Sequence, residues 1–326
     1  MNVLDARLLA ALRASQVHLP ATDLAGQLAT PLALVEARLA ELRDAGFEIE
    51  ERPGLGFRLL HSPDRLIADD LHSRLGQCDL AREIVVFTET ASTNDSAMQR
   101  GRQGAGGGLV IFAERQTAGR GRFGRAWASA SHRGLWFSLL LRPTLPYSAW
   151  PRLTTWAAVS LAATIENSLG LPAAIKWPND IYLSGRKIAG ILAESGVDVN
   201  GQPFAVVGIG VNVNQNAADF PPELASKAAS LGMVSGGRFI DRPTFAANLL
   251  RELDTRLPLL ASAFPEMIAE ASRRSLLLGR WVQIQSGHSM IEGRAEELDA
   301  DGQLLLRTDD GTLHRLSAGE VTVIAN

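Results

Sequence analysis

The chain has 326 residues, 46% hydrophobic and 21% charged, an ordinary globular composition with room for two or three domains. A formal net charge of −3 excludes a global basic field, so any nucleic-acid affinity needs a local patch. The single cysteine, Cys78, excludes an internal disulfide framework or a multi-cysteine metal site, and no apolar run approaches the length of a membrane span, so a cytoplasmic chain without membrane association is expected.

Residues 1–62 read as a small helical domain closing in a hairpin. DARLLAALRA has helical periodicity, ATDLAGQLA is a short helix capped by Thr22 or Asp23, and PLALVEARLAELRDAGF places Val35, Leu39 and Leu42 on one face and stops at Gly46. The last two form a helix-turn-helix, its second helix opening at Pro31, and FEIEERPGLGFRLL alternates around Pro53-Gly54 as a two-stranded wing would. Residues 63–80 are expected to form a connecting helix. From residue 81 the pattern is mixed α/β, with strands at EIVVFTE, LVIFAE, LWFSLLL, AAIKWP, IAGILAESGVDV and FAVVGIGVNV, the last two joined by a tight hairpin at Asn200-Gly201. Helices are expected around 93–100, 149–169 and 244–270. Residues 276–326 read as a small β-barrel, with short strands punctuated by Gly287, Asp301-Gly302 and Asp310-Gly311.

GRGRFGRAW (119–127) satisfies the G-x-G-x-x-G spacing of a dinucleotide-binding turn. Its context does not: RQTA separates the glycines from the preceding strand, and the following stretch reads as another strand rather than a helix. Arg120, Arg122 and Arg125 on a glycine-rich backbone instead describe a loop able to fold over phosphate or carboxylate. Three other clusters stand out. KWPND (176–180) puts Asn179 and Asp180 at a turn, where Asp180 suits a divalent ion or a hydroxyl. RKIAGIL (186–192) sets Lys187 at a strand start, and GIGVNVN (208–214) leaves Asn212 at a strand end. Taken singly, each also reads as a turn former, a surface lysine or a strand cap.

Jointly these stretches, with ASTND (91–95), resemble the biotin protein ligases, including the bifunctional ligase–repressors, over nearly the whole chain. The resemblance implies an α+β chain: a winged helix-turn-helix over 1–62, a connecting segment over 63–80, a mixed-sheet, class II synthetase-like ligase domain over 81–275, and an SH3-like barrel over 276–326. It implies ATP and biotin as substrates with Mg²⁺, biotinyl-5′-AMP as intermediate, and transfer to a lysine of the biotin carboxyl-carrier domain of acetyl-CoA carboxylase. Lys187, Arg122 and Arg120 would be catalytic. Ser92, Thr93, Asn94, Gln116 and Gly121 would meet biotin together with those three. Gly119, Arg125, Trp127, Lys176, Asn179, Asp180 and Asn212 would serve the nucleotide, with Asp180 on the metal. The same resemblance implies a homodimer when the adenylate is bound and leaves operator-DNA binding open. Two departures from the family pattern are Phe123, where a second consecutive arginine is frequent, and Ile324, where some members carry an arginine; the latter puts a barrel contribution to ATP binding in doubt. A lipoate-type ligase or acyltransferase of the same fold and a ligand-sensing transcription regulator stay open as alternatives.

Overall fold

The computed structural model describes residues 3–286 and 289–324; Gly287, named above as a strand break, lies outside them. Helices α1 (Val3–Ala14), α2 (Ala21–Leu28) and α3 (Leu32–Asp44) pack with the antiparallel pair β1 (Glu48–Arg52) and β2 (Gly56–His61) around Leu8, Leu12, Leu24, Val35, Leu39 and Phe57. Helix α2 opens behind Pro20 without a side-chain cap, so Thr22 and Asp23 lie in its first turn rather than capping it. The connecting segment is helical only over α4 (Ala68–Leu75), because Gly76 leaves the helical region at φ 66°, and a 3-10 turn follows at Asp79–Ala81.

Next come β3 (Glu83–Thr90), α5 (Thr93–Arg102), β4 (Leu109–Gln116), β5 (Gly134–Leu141), α6 (Arg152–Leu169), β6 (Ala174–Lys176), β7 (Asp180–Leu183), β8 (Arg186–Val197) and β9 (Pro203–Asn212). These strands form one seven-stranded sheet in the order β3-β4-β5-β9-β8-β7-β6, with only β3 and β4 parallel. Strand β7 is absent from the sequence expectation, being four residues squeezed between two turns. Asn200 and Gly201 sit in the bend between β8 and β9, where Asp198 and Gln202 close a slightly longer loop than a two-residue turn. The helix expected over 244–270 is three. After α7 (Leu231–Val234), α8 (Arg242–Arg256) stops ahead of Pro258, and α9 (Leu259–Ser262) and α10 (Phe264–Arg273, with Pro265 in its first turn) follow, because proline cannot continue the hydrogen-bond ladder. Among the described residues no helix is long and apolar enough to cross a membrane.

Alternation along the central strands separates two faces. Val110, Phe112, Leu135, Phe137, Val207 and Ile209 point into the large core with α6 and α8, while Leu109, Ile111, Leu140, Phe204 and Val206 pack on Ala97 and Met98 of α5. Beyond α5 the second face shrinks to Gly208 and Gly210 on β9, Ser138 on β5 and Gly190 on β8, which leaves a cavity instead of a core.

Arg242, fully buried, ties this sheet to the connecting segment. It donates to Glu114 of β4 (2.6 Å), to the Gly134 carbonyl of β5 (3.2 Å) and to the Asp64 carboxylate (3.1 Å), and Glu114 also accepts the Leu66 N–H (2.8 Å). The C-terminal strands β10 (Trp281–Ser286), β11 (Ser289–Leu298), β12 (Leu304–Arg307), β13 (Leu313–Leu316) and β14 (Glu320–Val323) form an antiparallel sheet ordered β13-β12-β11-β10-β14. Among the described residues no ladder joins its two outer strands. Trp177 belongs to the core of this sheet and donates its indole N–H to the Gly302 carbonyl (3.0 Å), anchoring the KWPND turn.

Candidate functional site

The cavity, about 520 Å³, exists because of the glycines. A Cβ on Gly208 would lie 2.0 Å from Asn94 Oδ1, and one on Gly210 or Gly190 would lie 2.8 or 2.9 Å from the Trp127 ring. The sheet surface is thereby left open for the Asn94 amide and the Trp127 indole, whose N–H has no partner among the described residues.

One end is rich in hydrogen-bonding groups, and the charges beside it are paired. Ser92 caps α5, accepting from the Asp95 N–H (3.4 Å), and so brings Thr93 and Asn94 to the cavity wall. Gln116 Oε1 accepts from the Thr93 N–H (2.8 Å) and hydroxyl (3.1 Å). The Ser138 hydroxyl lies 2.6 Å from Asn94 Oδ1, and Asn94 Nδ2 donates to Glu194 (2.7 Å) and to the Leu192 carbonyl (3.3 Å). With its donors and acceptors both held, Asn94 presents a fixed surface.

The other end is cationic, and its cations fall into two groups. Arg120 pairs with Asp95 and with Glu194 (3.2 Å), Arg125 with Glu320, and Lys187 with Asp180 (2.7 Å), the Lys187 ammonium also standing 5.3 Å from the Trp127 ring centre. Arg122 and Lys176 form no contact ion pair among the described residues, although the Asp180 and Glu320 carboxylates act on both from a distance. Arg122 donates to Asn179 Oδ1 (3.0 Å) and the Gly319 carbonyl (3.4 Å), and its guanidinium lies 4.8 Å from the Phe123 ring centre; Lys176 lies 5.8 Å from that of Tyr182. Burial pushes both below their ordinary pKa, and burial raises the Tyr182 phenol to about 12. Two desolvated cations with no carboxylate in direct contact, Asp180 and Glu320 acting on them only from farther off, make this end a receptor for a multiply charged anion.

Asn179 is held by the Ile191 carbonyl (2.9 Å) beside the cis Trp177-Pro178 peptide. Asn212, at the end of β9, donates to the Ala229 carbonyl (3.1 Å) and accepts from Gln215 (3.2 Å). The residues expected at the site, Ser92, Thr93, Asn94, Gln116, Arg120, Gly121, Arg122, Arg125, Trp127, Lys176, Asn179, Asp180, Lys187 and Asn212, all line this one cavity. Gly119 does not; its carbonyl accepts the Trp127 backbone N–H (2.8 Å), bracing the loop from behind. Sequence reasoning passed over Ser138, Glu194, Tyr182, Gly319 and Glu320. A serine inside the apolar run LWFSLLL was a signal for the first, whereas nothing local marks the last two.

The wall carries two carboxylates, Asp180 and Glu320, each paired with a cation, and no cluster of three or more metal-binding side chains occurs among the described residues. That donor set fits a magnesium ion held by one carboxylate and by the ligand's own phosphates, and does not fit an all-protein cage.

Residues 86–214 match the model of the biotin/lipoate A/B protein ligase family, and residues 277–323 match that of the biotin protein ligase C-terminal domain. The chain is 34% identical over 274 residues to the bifunctional ligase/repressor BirA of Bacillus spizizenii, covering 84% of each chain. It is 36% identical over 246 residues to the biotin–[acetyl-CoA-carboxylase] ligase of Mycobacterium tuberculosis, covering 74% of this chain and 88% of that one. The biotin protein ligase of Aquifex aeolicus, solved with biotin and ATP, superposes with a TM-score of 0.65 at 28% identity, over 75% of this chain and all of that one.

Proposed function

From the premise that the chain belongs to the biotin protein ligases, we propose that it activates biotin with ATP and passes the biotinyl group to a lysine of a carboxylase's biotin carrier domain. The observation that carries this reading is the division of one cavity between a hydrogen-bonding end whose charges are paired and an end with two buried cations that no carboxylate contacts. Biotin's ureido ring needs the former, and a triphosphate needs the latter.

In the first half-reaction the biotin carboxylate attacks the α-phosphorus of ATP, the bond to the bridging oxygen breaks, and biotinyl-5′-AMP and pyrophosphate result. Thr93, Asn94 and Gln116 orient the ring. Arg122 and Lys176 receive the phosphate oxygens, and Lys187 steadies the attacking carboxylate and the charge that develops on the α-phosphate. Asp180 would hold a magnesium ion, which supplies further charge neutralisation on the phosphates. Trp127, lying on Gly190 and Gly210, gives the adenylate a flat apolar face, and Asn212 a polar edge. In the second half-reaction the neutral amine of the acceptor lysine attacks the anhydride carbonyl and AMP leaves, so no covalent enzyme intermediate is needed. Biotin-dependent pyrophosphate release followed by single-turnover transfer to a carrier domain tests the reading. Release that depends on lipoate or octanoate instead of biotin would overturn it.

Residues 1–62 are read as a winged helix-turn-helix, with α3 in the recognition position and β1–β2 as the wing, and residues 276–326 as an SH3-like barrel. A homodimer bound to adenylate is the expected assembly, and weak operator binding the expected regulatory behaviour.

A further inference from the structure

Phe123 is the residue at which this chain departs from the arginine frequent in its family, and its geometry is costly. It adopts φ 56°, ψ 30°, the left-handed region that a bulky side chain avoids, yet the residue is 65% exposed and gains little from burial. Strain of this kind persists where a local contact compensates it. The contact is with the preceding residue: the Arg122 guanidinium stands 4.8 Å from the centre of the Phe123 ring, while its edge reaches Asn179 and the Gly319 carbonyl. Around this cavity Arg120, Arg125 and Lys187 are each held by a carboxylate, which also offsets their charge. Arg122 is held by neutral groups alone among the described residues.

We propose that Phe123 is a positioning residue for Arg122: its π face fixes the guanidinium at the cavity wall without an ion pair, so that no carboxylate has to be displaced when the adenylate phosphate arrives. The choice of partner is the point. A carboxylate would hold the guanidinium more firmly but would have to be displaced by, or would repel, the incoming phosphate. A second arginine would repel the guanidinium and leave it to be ordered by the ligand. An aromatic face attracts a cation without occupying its edge donors, of which Nη1 is already engaged by Asn179 and Gly319. The inference rests on the ligase reading given above, and it concerns only how the loop grips its product.

The test compares Phe123→Leu, which keeps an apolar side chain without a π face, and Phe123→Tyr, which keeps the π face, with the unaltered full-length protein. The dissociation rate of biotinyl-AMP and the KM for ATP are read separately from the rate of transfer to a carrier domain. For Phe123→Leu the expected result is adenylate release faster by about two- to fivefold, the size of an exposed cation–π contact, with a matching rise in KM for ATP and an unchanged kcat for pyrophosphate release. Phe123→Tyr should behave as the unaltered protein. Equal adenylate retention in Phe123→Leu would overturn the proposal, as would equal impairment of the two variants. A defect confined to carrier transfer would also overturn it and assign Phe123 to acceptor docking. Absence of biotin-dependent pyrophosphate release in the unaltered protein would overturn the ligase reading instead, and with it the premise of the proposal.

Discussion

Lys187 faces two partners of opposite character, the Asp180 carboxylate at 2.7 Å and the Trp127 ring at 5.3 Å. Lys187→Ala therefore does more than remove a cation: it leaves Asp180 without its contact ion pair on a wall that must receive phosphate. Adenylate formation is expected to slow by about 10²–10³, the loss typical of one preorganised charge-stabilising donor, measured as biotin-dependent pyrophosphate release. A rate like that of the unaltered enzyme would refute this. Arg122→Gly removes the loop's contacts with Asn179 and Gly319, so biotinyl-AMP should escape and acylate bystander lysines. Tight retention with normal acceptor selectivity is the contrary outcome. At this scale the cavity-lining cations and the Asn179–Asp180 pair were legible in the sequence because most fall in short runs, GRGRFGRAW and KWPND. Their partners were not, because the fold brings them from afar: Ser138 reaches Asn94 across 44 residues, and Gly319 reaches Arg122 across 197.

Among the elements, β8 has an asymmetric fate. Its ladder with β7 ends at Gly190, while its ladder with β9 continues to Val197, so the outer half of β8 has no strand on its far side among the described residues. An open edge of this length is a template for pairing with a second copy. Sedimentation with biotin and ATP together is expected to show a dimer, and a monomer persisting at high concentration would count against the edge. Most strands were legible because apolar alternation and glycine-bounded runs survive in the sequence. The C-terminal helices were misjudged because the apolar spacing of Phe245, Leu249, Leu253 and Leu257 continues toward the break, and the two prolines that divide the segment outweigh that periodicity.

For the whole molecule, charge decides what the N-terminal domain can do. Residues 1–62 carry six arginines, no lysine and eight acids, a net −2. Arg38 is held by Asp5 and Glu41, Arg43 by Glu51 and Arg52 by Glu50, and Arg13 is turned toward Asp70 of α4. The outer face of α3 offers Ala33, Glu36, Ala37 and Ala40, none suited to bidentate contact with guanine. Phosphate neutralisation supplies most non-specific affinity, so an anisotropy titration against the biotin-biosynthesis promoters of the source genome, at physiological salt with biotin and ATP, should give micromolar or weaker binding. Nanomolar, sequence-selective binding would overturn this. The brace on the arginine loop has a consequence in time. Chains are synthesised and begin to fold from the N-terminus, so the strands of the ligase sheet are complete before Gly319 and Glu320 have been made. A nascent chain at that stage lacks the core on which Trp177 anchors the KWPND turn as well as the residues that contact Arg122 and Arg125. Completion of the cationic end is thereby deferred to chains translated past β14, and a ribosome stalled in the C-terminal sheet would carry a ligase sheet whose cavity is still unfinished.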